Sequence, residues 1–238
     1  MEFFMTLGDY KSLPVTQPDL TVREEEIDNV LKREQRRHAV VVHTDDGKQI
    51  LKDLEMQPLD DEFARDFSDC DTLDEWRGVI REQLEERRRV SANERVCREL
   101  LTQIIANSDV PVDQEALREI SAILYEEFLD DLEASAISLE TWCSRSRMTE
   151  EDLYRSKEEE ALFALQSEMV LREIAGREHL SVSPVELADE LTAIAEEDGE
   201  DPAEFAGMLD DEDLAALSDD LLLEKAMDFV LDHAVYVS

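Results

Sequence analysis

Between Thr72 and Asn107 the chain reads "TLDEWRGVIREQLEERRRVSANERVCRELLTQIIAN", with no proline and with apolar residues recurring every three or four positions. Thr72 and Glu75 have the spacing of a capping box, in which each side chain satisfies the other's backbone N–H. The pattern predicts a single helix, roughly 50 Å long at 1.5 Å per residue and about three times the usual helix length. Its ends are apolar: Leu73, Trp76, Val79 and Ile80 at one, and Val96, Leu100, Leu101, Ile104 and Ile105 at the other. Its middle, "REQLEERRRVSANER", offers only Leu84, Val90 and Ala92. A helix that is polar nearly all round in mid-span bridges two packed regions, so the expected molecule is extended.

Most of the remaining chain also reads as helix, consistent with only 6 Gly and 6 Pro in 238 residues. Thr21 and Glu24 predict a capping box opening a helix to about Arg37, with Ile27, Val30 and Leu31 turned inward. "PLDDEFARDF" predicts a short helix ending near Phe67. Beyond Pro111 a helix runs to about Ala134 with Leu117, Ile120, Leu124, Phe128 and Leu132 on one stripe, followed by a short one around Leu139–Cys143. Thr149 caps a helix to about Gly176, whose "ALFALQSEMVLREIA" should be the best-buried segment. Ser183, Pro184 and Glu186 open another to about Glu197. Asp201-Pro202 starts a short helix, and the last spans about Leu214 to His233.

Two stretches break this rule. Residues 2–20 alternate apolar and polar and carry Pro14 and Pro18, which suits an extended segment or edge strand. In "HAVVVHTDDGKQILKDLEMQP", the apolar runs Val40–Val42 and Ile50–Leu54 flank a turn expected at Asp46-Gly47, the signature of a β-hairpin.

Composition removes several function classes. The 62 acidic and 24 basic residues give a net charge of -38, which repels nucleic acid and anionic lipid. No apolar run reaches the roughly 20 residues that cross a bilayer, and "MEFFMTLGDY" lacks the basic start and apolar core of a signal peptide. Cys70, Cys97 and Cys143 are odd in number and widely spaced, as in reduced thiols of a cytoplasmic protein. No glycine-rich turn ends in Lys-Ser/Thr, so no nucleotide cofactor is expected.

Catalytic and metal sites are equally hard to find. His38, His43, His179 and His233 are scattered and read as solvated or helix-end histidines. The acidic pairs read as solvated faces, and the acidic run at 210–213 lacks the glycine of a calcium loop. Arg87–Arg89 suggest a phosphate site, but Glu82, Glu85 and Glu86 alongside favour pairing within the helix. Cys143 has no evident histidine partner for nucleophilic work. The expectation is no catalytic residue, no cofactor and no metal. What remains is apolar and methionine-bearing surface, adaptable in contact and, where exposed in a patch, a binding site.

The order of these segments resembles a known family. "LGDYKSLPV" and "TVREEEIDNVLKREQRRHA" resemble the linker and first arm helix of bacterial trigger factor. "PLDDEFARDF" with the long helix through "SDVPVDQEAL" resembles its backbone helix, and "MVLREIAGREHLSVSPVELADELTAIAEEDGEDPAEF" resembles the second half of its C-terminal domain. The resemblance implies a mainly α fold: an elongated, multihelical body of the trigger-factor C-terminal and SurA-like kind with two arms. It also implies a division into a linker (1–20), a first helix (21–39), a hairpin (40–57), a backbone-helix region (58–111), one arm (112–181) and a second (182–238). The family's prolyl isomerase domain would sit where only residues 40–57 lie, so isomerase activity is not expected; its ribosome-docking motif is not found in these residues, so the ribosome is expected as a partner only if a docking domain lies upstream of Met1. The function implied is an ATP-independent holdase in the cytoplasm, binding unfolded or nascent polypeptides, basic ribosomal proteins among them, in a helical cradle. The alternative is an adaptor that binds one folded partner or self-associates as a homodimer. Phe128, Leu132, Trp142, Met148, Phe205, Met208 and Leu209, near helix ends or in short segments, are the candidate client contacts.

Overall fold

The computed structural model describes the backbone of residues 5–45 and 50–237, and side chains within them except at 40–55. Among these residues the chain is mainly helical. Its elements are β1 (Pro14–Thr16), α1 (Glu24–Arg37), β2 (Val40–Asp45), β3 (Ile50–Glu55), α2 (Asp61–Phe67) and α3 (Leu73–Ala106). Then come α4 (Gln114–Ala134), α5 (Leu139–Ser146), α6 (Glu150–Arg177), α7 (Pro184–Asp198), α8 (Pro202–Met208), α9 (Asp211–Asp232) and β4 (Val235–Val237). The chain divides into two compact units, Gln17–Val96 and Met1–Thr16 with Cys97–Ser238, the division falling inside α3.

The long helix forms as its pattern requires. Thr72 Oγ1 accepts from Glu75 N at 3.2 Å and the Glu75 carboxylate accepts from Thr72 N at 3.2 Å. Of residues 81–95 only Ala92 is buried. The acidic run at 210–213 is itself a capping box, Asp210 and Asp213 each accepting from the other's backbone at 3.0 Å, so α9 starts three residues earlier than its apolar pattern suggests.

In the Gln17–Val96 unit, Ile27, Leu31, Phe63, Ala64, Trp76 and Ile80 form the core. Phe63 lies between Phe67 and Trp76, with ring centroids 4.7 and 5.7 Å away. Here α1 departs from expectation, because Thr21 and Glu24 form no capping box. Arg23 is the N-cap residue, and its N–H donates to Glu26 at 2.9 Å. Glu24 is instead taken by Arg77 and Arg81 of α3, and Arg88 donates to the Thr21 carbonyl and to Glu26. With the Glu24 carboxylate held by two guanidinium groups of α3, Glu26 serves as the capping acid.

The hairpin is present as an antiparallel pair with Val40 opposite Glu55 and Asp45 opposite Ile50. Its expected turn at Asp46-Gly47 lies outside the described residues. Its root is held by Gln35, whose amide donates to the Gln57 carbonyl at 2.6 Å, and by His38 stacked on Phe67 at 4.1 Å.

In the other unit, α6 packs against α4 and α9 and is the best-buried helix, through Ala161, Val170, Leu171, Ile174 and Ala175. The N-terminal segment closes this unit. Thr6 pairs with Asp109, and β1 pairs in parallel with β4, Val15 opposite Tyr236. The β4 strand has no counterpart in the sequence reading.

Candidate functional site

Residues 112–148 make a corner in which two helices end without glycine. Ala136 follows α4 with φ 54°, and Arg147 follows α5 with φ 59°. At the first, Ile137 N donates to the Leu132 carbonyl at 2.9 Å and Ala136 N to the Glu133 carbonyl at 2.9 Å, so the chain reverses tightly. Ser138 then caps α5, accepting from Thr141 N at 3.2 Å. The reversal leaves a groove of about 360 Å³ lined by Leu129, Leu132, Ala136, Ile137 and Leu139, with Glu133 and Ser138 at its polar edge.

Aromatic pairs stand on the same two helices and the start of α6. Phe128 meets Trp142 edge to face at 4.9 Å, and Lys157 lies 5.3 Å over the Phe128 ring. Tyr125 meets Tyr154 at 5.6 Å and donates its hydroxyl to Glu150 at 2.9 Å. Burial first, and then that bond to a carboxylate, raises the Tyr125 pKa.

The sequence candidates fall into two groups. Phe128 and Trp142 touch, and both are half-buried; Leu132 lines the groove but is itself buried at 7% exposure; Met148 is half-buried at the turn into α6. Phe205, Met208 and Leu209 lie apart from these in sequence, on and just after α8. Phe205 and Leu209 are half-buried, and Met208 is 70% exposed. Leu129, Ile137 and Leu139 were not singled out from the sequence. The one signal is Ile137, apolar and three residues beyond the end of α4, and "EASAIS" hides it by placing Ala where Gly usually marks the stop.

Among the described residues no group of three His, Cys, Asp or Glu side chains could hold a metal ion. The three cysteines are free and half-buried. Burial, and then the nearby Asp228 charge, push the Cys97 thiol up, against a thiolate role. His38 and His233 cap the ends of α1 and α9, and His179 follows α6, as helix-end histidines do. No helix among the described residues is long and apolar enough to cross a membrane.

The fold is mainly α and multihelical. Residues 72–232 match the family model described as bacterial trigger factor protein C-terminus, and the chain belongs to that family. The trigger factor of Agathobacter rectalis is 27% identical over 183 residues, covering 77% of this chain and 41% of that protein. That of Caldanaerobacter subterraneus is 29% identical over 190 residues, covering 79% and 44%. The chain thus spans less than half the length of these relatives. Among solved structures, one of the trigger factor chaperone, described with promiscuous substrate recognition in folding and assembly, aligns at TM-score 0.50 and 16% identity, covering 96% of this chain and 72% of that one. A hypothetical Mycoplasma protein aligns at TM-score 0.50 and 9% identity, covering 99% and 92%. These two likenesses concern the fold alone.

Proposed function

We propose that this chain is an ATP-independent holdase of the cytoplasm that binds apolar segments of unfolded or nascent polypeptides and catalyses no reaction. The observation that carries the reading is the apolar groove at the α4–α5 corner, with Phe128 and Trp142 on the helices that form it. Small apolar contacts with polar margins suit varied clients, because none demands a single shape. In this reading residues 112–181 form one arm and 182–238 the other. Phe205, Met208 and Leu209 provide the second patch, with Met208 at 70% exposure. Membership of the trigger factor family supports it. In this reading the antiparallel strands Val40–Asp45 and Ile50–Glu55 stand where the family's isomerase domain would sit.

The test is aggregation of several unrelated denatured proteins in the presence of the chain. Suppression across most of them, weakened by Met208→Ser together with Leu139→Ser at near-unchanged melting temperature, is the expected result. Suppression of none, with one folded partner captured tightly, would establish an adaptor instead.

A further inference from the structure

All seven basic residues of α3 are arginines, and five have defined partners. Arg77 and Arg81 hold α1, Arg88 holds Glu26 and the Thr21 carbonyl, Arg89 pairs with Glu86, and Arg98 lies over the Phe163 ring at 4.7 Å. Pairing therefore accounts for two members of the Arg87–Arg89 run but leaves Arg87 over. Arg87 and Arg95 are exposed and without an ion-pair partner among the described residues, in a chain with 62 acids to 24 bases. Both line a groove of about 350 Å³ with Arg88, Ser91, Leu84, Ala92 and Asp19. These α3 residues recur at spacings of three and four, so they share one face of the helix.

The chemistry of this groove is specific. Leu84 is half-buried and Ala92 buried, giving an apolar floor. Arg87 and Arg95 present planar forks, which match a carboxylate with two parallel N–H donors; Arg88, already held by Glu26 and the Thr21 carbonyl, adds its charge, and Ser91 adds a hydroxyl. Asp19, the one acid in the lining, already accepts from Thr21 N at 2.9 Å.

We propose that the groove formed by Leu84, Arg87, Arg88, Ser91, Ala92 and Arg95 binds an extended acidic segment of a polypeptide through its carboxylates. Arg87 and Arg95 are eight residues apart, roughly 12 Å along the helix at 1.5 Å per residue. An extended chain covers that distance in about four residues, so two acids four positions apart engage both arginines. A longer polyanion such as RNA is disfavoured by the field of a chain of net charge -38. The site shares no residue with the α4–α5 groove and does not rest on the holdase reading. It would let a strongly acidic protein retain acidic stretches that its other surfaces repel.

The experiment uses the full 238-residue chain and an otherwise uncharged twelve-residue peptide with two glutamates four positions apart, labelled with a neutral dye and followed by fluorescence anisotropy at low salt. The expected result is saturable binding, roughly tenfold or more weaker for the glutamine analogue and for Arg87→Ala/Arg95→Ala, and partly restored by Arg87→Lys/Arg95→Lys, which keeps charge but loses the fork. Both side chains are exposed and unpaired among the described residues, so the alanine variant should melt as the parent does. Equal binding of the glutamine peptide, or full binding by the alanine variant, would overturn the proposal. So would displacement of the peptide by a uridine oligonucleotide or inorganic phosphate at lower concentration than by free glutamate. Sedimentation showing a dimer that the alanine variant dissolves would assign the groove to a second copy of the chain, and the proposal would fall.

Discussion

Phe128 of α4 and Trp142 of α5 stand edge to face with centroids 4.9 Å apart, and both remain half-buried. This pair joins two helices across a reversal that has no glycine, and it leaves both rings half-buried on the helices whose junction forms the apolar groove. A core pair would be closed on all sides, and a pair without structural work would not hold a short helix in place.

Trp142→Ala separates these roles. An aromatic pair of two half-buried rings contributes on the order of 1–2 kcal/mol, so urea denaturation should show a loss of that size. Client affinity, measured by anisotropy with a labelled unfolded protein, should fall several-fold. A loss of about 3–5 kcal/mol would mark the ring as core.

Gly8 → Ala should destabilise strongly. A Cβ at Gly8 would lie 2.1 Å from the Asn107 carbonyl oxygen, which is backbone and cannot swing away. The Thr6–Asp109 bridge and the Gly8 N–H bond to Ser108 Oγ at 3.0 Å fix the segment there. Overpacking of this kind costs about 1–3 kcal/mol, readable as a lower urea midpoint at unchanged slope.

Ala136→Gly should do the opposite. The left-handed backbone at φ 54° disfavours any residue with a Cβ, and glycine removes that strain at some entropic loss in the unfolded chain. A net gain of about 0.5–1 kcal/mol is expected, with α5 retained by circular dichroism. A loss of stability would show that the Ala136 methyl group contributes more to the groove wall than its strain removes.

Acid should loosen the contact between the start of α7 and α9. The Lys225 ammonium, and then the Ser183 backbone N–H, hold the Glu186 carboxyl down at about 2, below its ordinary 4.5. A depressed folded value means that its contribution is complete above pH 4.5 and is lost as pH falls from there toward 2. Glu186→Gln should therefore flatten the dependence of melting temperature on pH within that window and leave the slope above it unchanged.

Charge should act on association rates. Residues 182–238 hold eighteen acids and one lysine, Lys225, which is engaged by Glu186 and the Ser181 carbonyl. A field of one sign steers opposite charge and raises the on-rate. In stopped-flow, a basic unfolded client should bind faster than an acidic one of similar hydropathy. The gap should narrow with salt as the Debye length falls to about 8 Å. Equal, salt-insensitive rates would restrict the acidic surface to keeping the chain soluble.

By itself, the sequence determined the helices, because their signals are local. Thr72 with Glu75, Thr149 with Asp152 and Ser183 with Glu186 close their caps within three residues, and the apolar spacing sets the inward face whatever the rest of the chain does. The hairpin strands were equally legible, although they extend one to three residues beyond their apolar runs. Tertiary structure decided the rest. Which partners take Glu24 and Glu26 depends on Arg77, Arg81 and Arg88, which lie more than fifty residues along the chain. The parallel pairing of β1 with β4 joins two three-residue strands from opposite ends of the chain, each too short to declare itself. The α4–α5 groove exists because Ala136 adopts a backbone that its residue type disfavours, a choice imposed by packing and not by local preference. Which arginines of α3 are paired and which stay open follows from where other segments place their carboxylates, and no spacing along the helix encodes that.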